Sequence, residues 1–155
     1  MKLGQSSRRS VQGILASLVV LLAALIGPAA PAQAAPVSNF YVCHTIFCDD
    51  YAYGTITWYN RTAYVSGDVW TSGAYLSYVD STQVVFEAYA GSTKIESQTR
   101  TVSYPPDTYR HFGFTIGDPD LVGGIDRIKI TVCVFWPERD CGTSVNYNKG
   151  DAVEP

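Results

Sequence analysis

The chain has 155 residues, 46% of them hydrophobic, with eleven Lys and Arg against fourteen Asp and Glu. Three of the basic residues and none of the acidic ones lie in the first 34 positions, so the remainder carries eight basic against fourteen acidic, a balance of −6. That balance argues against nucleic acid as a partner, since phosphate binding depends on clustered Lys and Arg, and it disfavours anionic membrane surfaces for the same reason.

The chain opens with Lys2, Arg8 and Arg9, runs through apolar residues and alanine from Ile14 to Ile26 with only Ser17 intervening, and breaks at Gly27-Pro28. Ala32-Gln33-Ala34 then supplies a small-x-small site, so residues 1–34 read as a secretory signal peptide cut after Ala34 or Ala35. The apolar run is too short for a permanent span, and no later segment offers one. Ser10-Val11-Gln12 after the Arg pair fits twin-arginine export poorly, so the general secretory route and an extracellular location are expected. The alanine- and proline-rich cleavage region has a bacterial, high-GC Gram-positive composition. Asn60-Arg61-Thr62, formally a glycosylation acceptor, then reads as a hairpin turn.

About 120 residues remain, enough for one domain with one core. Residues 35–50 are Pro-flanked and aromatic, carry Cys43 and Cys48, and lack clear alternation, so they read as an N-terminal arm lying on or projecting from a domain over 51–155. From there the period is two. Ile56 with Trp58, Val65 with Val69, Val84 with Phe86, Phe112 with Phe114, and Ile128, Ile130 and Val132 mark inward faces. Strands are expected near 54–60, 62–71, 83–90, 93–102, 109–116, 126–136 and 143–148, with turns at Asn60-Arg61 and Ala90-Gly91-Ser92-Thr93. The expected fold is all-β: an antiparallel immunoglobulin-like sandwich of about seven strands.

Four cysteines in an exported domain predict two disulfides. Three pairings are possible. The local ones, Cys43 with Cys48 and Cys133 with Cys141, are favoured because each pair flanks a segment able to turn back. A zinc site would need closer spacing and nearby histidines, and only His44 adjoins a cysteine.

No catalytic constellation emerges. His44 and His111 are the only imidazoles, and His111 alternates outward on a strand. The neighbouring carboxylates of Asp49 and Asp50 diverge on an extended segment, which glycoside chemistry cannot use. Asp118, Asp120 and Asp126 suit turns as well as calcium. No catalytic, metal or cofactor site is assigned. Aromatic residues are in excess, and Tyr41, Tyr51, Tyr53, Tyr59, Tyr64, Tyr75, Tyr78 and Tyr89 fall at outward or loop positions, where tyrosine suits protein or carbohydrate recognition.

The leader, the arm with Cys43 and Cys48, the Tyr-rich β body and the terminal Cys133/Cys141 pair resemble the small exported sandwich proteins of Streptomyces-type bacteria, most of all the adaptor subunits of umbrella toxin particles. The resemblance implies a non-enzymatic adaptor: residues 36–50 would be a strap inserted into a large repeat-containing toxin, and the sandwich would hold a lectin subunit. Partner contacts are then expected at Phe40, Tyr41, His44, Ile46 and Phe47. The alternative is a free-standing carbohydrate- or cell-wall-binding module, which the same aromatics would serve.

Overall fold

The computed structural model describes residues 34–72, 80–104, 107–135 and 137–153. The leader, Ala34 excepted, lies outside the described residues, as do Tyr75 and Tyr78. The described chain forms β1 (Val37–Cys43), β2 (Tyr51–Trp58), β3 (Thr62–Trp70), β4 (Ser81–Ala90), β5 (Thr93–Ser103), β6 (Tyr109–Gly117), β7 (Arg127–Phe135), β8 (Arg139–Cys141) and β9 (Val145–Asn148), followed by a single 3-10 turn at Lys149–Asp151. Two antiparallel sheets stack as a sandwich. The first has the order β1-β2-β3-β6; the second runs β5-β4-β7, with β8 and β9 sharing the far side of β7.

Alternation builds the core as expected. Ile56, Trp58, Val65, Val84, Phe86, Phe112, Ile128, Ile130 and Val132 are buried, and Phe114 packs half-buried against them. Phe86 holds the centre. Its ring meets Phe40, Phe112 and Phe114 edge-on at centroid distances of 5.9, 5.3 and 5.1 Å, a geometry that aromatic quadrupoles favour. In the facing sheet, Phe40, Gly54, Gly67 and Phe112 are successive register partners. A Cβ on Gly67 would strike the Tyr53 carbonyl and the Gly54 Cα, so the glycine pair lets β2 and β3 pass closely between the two phenylalanines.

The arm is the main departure. Residues 37–43 are an edge strand, paired with β2 along its whole length from Val37↔Thr57 to Cys43↔Tyr51. Phe40 is 3% exposed and Val42 1%. Ser38 also turns inward, where its hydroxyl accepts the Trp58 indole N–H at 2.9 Å. The alternation is real but masked, because the outward positions Val37 and Tyr41 are apolar too. The domain therefore begins at β1 rather than at residue 51. The other additional strand is β8; the segment expected near 143–148 is β9.

Both disulfides are the local ones, Cys43–Cys48 and Cys133–Cys141. The second joins directly opposed residues of β7 and β8. The first closes the turn after β1, with Cys48 in the left-handed region at φ 55°. Asp50 anchors that turn. Its buried carboxylate accepts the Ser72 N–H (2.9 Å), the Ser72 hydroxyl (2.8 Å) and the Thr82 hydroxyl (2.6 Å). A buried carboxylate so satisfied ties three segments together.

The exposed edges are guarded. β5 turns Glu96, Gln98 and Arg100 inward, opposite Ala88, Phe86 and Val84. Glu96 accepts the Gly117 N–H at 2.7 Å, and the Arg100 guanidinium lies 4.0 Å over the Phe114 ring; inward charges on an edge strand block further pairing. On the opposite side, Val37 exchanges two backbone hydrogen bonds with Val153, and the Tyr41 N–H donates to the Tyr147 hydroxyl.

Candidate functional site: the outer face of the first sheet

The two outer faces differ in kind. On the second sheet several charged side chains pair with one another. Glu87 is clamped by Lys129 and Lys94; burial alone would raise its pKa, but the two ammonium groups outweigh this and hold it low. Tyr89 lies under the Arg127 guanidinium at 4.4 Å, and Arg139 donates to Gln83 at 3.0 Å.

The first sheet presents aromatics instead. Its registers align outward side chains in rows across the strands: Cys43, Tyr51, Trp70 and Tyr109 in one, and Tyr41, Tyr53, Asp68 and His111 in the next. Tyr51 is the hub. It stacks on Tyr41 (5.2 Å, 28°) and on Trp70 (6.3 Å, 17°) and tilts against Tyr53 at 6.1 Å. Cross-strand aromatic pairs of this kind contribute roughly 0.2–1 kcal/mol each to the sheet, so the platform is also a rigid part of the fold. A cleft of about 350 Å³ opens between Tyr51, Tyr53, Asp68, Trp70 and Tyr109. Further rows carry hydroxyls, with Thr55 Oγ1 and Ser66 Oγ 3.1 Å apart.

The electrostatics centre on Asp68. One oxygen lies 3.3 Å from His111 Nδ1. The carboxylate also raises the Tyr53 pKa, chiefly through its charge, with desolvation adding to it. Tyr51 is raised as well, by burial first and then by Tyr41. Both phenols therefore stay neutral donors well above physiological pH.

The residues expected to contact partners separate into three places. Phe40 is core and unavailable, because β1 is a strand whose even positions face inward. Tyr41 joins the aromatic platform. His44 is held in the disulfide turn with Nε2 3.1 Å from Asp140, and Ile46 and Phe47 stand at the tip of that turn, 91% and 77% exposed. Trp70, Asp68, Tyr109 and His111 complete the platform and were not singled out as binding residues. Their signal was parity: Asp68 and Trp70 alternate with the buried Val65 and Val69, so they had to face out.

The remaining candidates are structural. Asp126 accepts the Gly91 N–H at 2.7 Å and Asp118 the Asp120 N–H at 2.8 Å, which is turn chemistry. All four cysteines are oxidised, so none is a thiolate ligand. A second cleft, also about 350 Å³, runs between β1 and β9 past Asn39, Asn146, Tyr147 and Asn148. Val153 already takes both main-chain groups of Val37 and Tyr147 the Tyr41 N–H along that edge. Among the described residues no helix is long and apolar enough to cross a membrane. Comparison with protein-family profiles, curated proteins and solved structures gives no match.

Proposed function

We propose that this is a secreted, non-enzymatic recognition domain whose outer aromatic face binds carbohydrate. The observation that carries the reading is the continuous array Tyr41–Tyr51–Trp70, with Tyr53 and Tyr109 beside it, around a cleft that holds one carboxylate. Apolar C–H faces of pyranose rings stack on aromatic side chains, and a few fixed polar groups orient the hydroxyls. Asp68 and the phenols of Tyr53 and Tyr109 supply such groups. Two disulfides fit an oxidising compartment, and with the leader they support export.

A second reading, the adaptor that joins a large toxin polypeptide and a lectin, draws on Ile46 and Phe47. Two large apolar side chains held out on a disulfide-closed turn suit a protein contact, where such anchors dominate the energy. Insertion of residues 36–50 as a strap is the weaker version of that reading. It would unpair β1 and withdraw Phe40 and Val42 from the core.

One depletion experiment separates the readings. The protein is incubated with chitin, cellulose and peptidoglycan, and in parallel used to capture proteins from the culture supernatant of the source organism. Retention on a polysaccharide, lost in the Tyr51→Ala/Trp70→Ala double variant and kept in Ile46→Ser/Phe47→Ser, is the expected result. No retention on any of the three, with a stoichiometric protein complex abolished by Ile46→Ser/Phe47→Ser, would establish the adaptor instead.

A further inference from the structure

We infer that the cleft takes uncharged glycans and rejects acidic ones, and that Asp68 sets this selectivity. The inference rests on the carbohydrate reading and narrows its ligand class. Its first support is the charge inventory of the face. No Lys or Arg stands at any outward position of β1, β2, β3 or β6. Arg110, the register partner of Val69, turns away from this face and donates to the Thr101 carbonyl of the other sheet. Recognition of a sugar carboxylate or sulfate relies on such cations, above all on the bidentate guanidinium. His111 is the one outward group able to carry positive charge, and it is turned to Asp68 at 3.3 Å.

The second support is placement. Asp68 lies in the middle of the face, flanked in register by Tyr53 and His111, and its side chain keeps 23% of its surface open to the cleft region. A carboxylate held this way accepts hydrogen bonds from sugar hydroxyls and repels a sugar carboxylate at the same site. The segments that continue from the strand ends at Tyr51, Trp70 and Tyr109 add Asp49, Asp80 and Asp107 against His44, so acidic residues outnumber basic ones there.

The test is titration calorimetry of the protein with hexasaccharides of N-acetylglucosamine, of glucose and of galacturonic acid at neutral pH and moderate salt. A neutral hexamer should bind at least about tenfold more tightly than galacturonate, the order of effect one like-charge contact produces at short range. In Asp68→Asn that ratio should fall to within about threefold, whatever happens to the absolute affinities. Asp151→Asn makes the same change in net charge away from the face and should keep the wild-type ratio. Equal binding of neutral and acidic hexamers by the wild type, or a ratio unmoved in Asp68→Asn, or one that collapses equally in Asp151→Asn, overturns the selectivity inference and leaves the carbohydrate reading standing. Failure of the wild type to bind any of the three overturns the selectivity inference, and where retention on chitin, cellulose and peptidoglycan is also absent the carbohydrate reading falls with it.

Discussion

Where β2 and β3 pass at Gly54 and Gly67, the space a methyl group would need is already filled by backbone. The neighbours of a Cβ on Gly67, the Tyr53 carbonyl and the Gly54 Cα, cannot swing aside as a side-chain end could. Gly67→Ala should therefore destabilise by about 1–3 kcal/mol, the range for overpacking a close contact, read as a lower urea midpoint at an unchanged slope. Gly150→Ala, whose Cβ would meet nothing within 4 Å, is the matched control and should leave the midpoint in place. An unmoved midpoint in Gly67→Ala would mean that the strands separate at little cost. At this scale the core was the most legible part of the sequence, since Ile128, Ile130 and Val132 alternate with polar residues. The binding face was less so. Tyr51 and Tyr53 could be placed outward, but that they meet Trp70 depends on strand register, which no local pattern encodes.

Among the elements, β1 carries the clearest lesson. Its inward Ser38, Phe40 and Val42 alternate with Val37, Asn39 and Tyr41, and the contrast vanishes because the outward side includes an aromatic residue serving the platform. The features that make this face a candidate site are the same ones that hid the strand, as expected where function competes with pattern. β8 was hidden for another reason: three exposed residues hold their place through pairing with β7, the Cys133–Cys141 bond and side-chain contacts to His44 and Gln83, none of which a local pattern shows. If β1 is part of the fold, deleting residues 36–41 must expose Ile56 and Trp58 along with the edge of β2 from Tyr53 to Thr57. The truncated protein should lose at least several kcal/mol, since burying one large apolar side chain is worth about 1.5–3 kcal/mol, and its melting transition should broaden or disappear. A truncated protein melting near the full-length temperature would restore the detachable arm.

For the whole molecule, the division of labour lies between the two outer faces, one closed by ion pairs and cation–π contacts and the other open and aromatic. The proposed binding is thereby assigned to one side, toward the strand ends nearest the Cys43–Cys48 turn. The Val37–Val153 bridge sits at the other end of β1, six residues from Cys43 and thus about 20 Å away along an extended strand. Entry and exit of the described chain are neighbours there. A permutant that joins residue 153 to residue 36 through a short Gly-Ser linker and opens between Val122 and Gly123, in an exposed loop, should fold with cooperative unfolding and intact ligand retention; collapse into an aggregated chain would contradict the geometry. The same adjacency makes the domain a cassette. Spliced into a surface loop of another protein, it would hang from a single point with its aromatic end directed outward, so its host could display it without either chain being rethreaded.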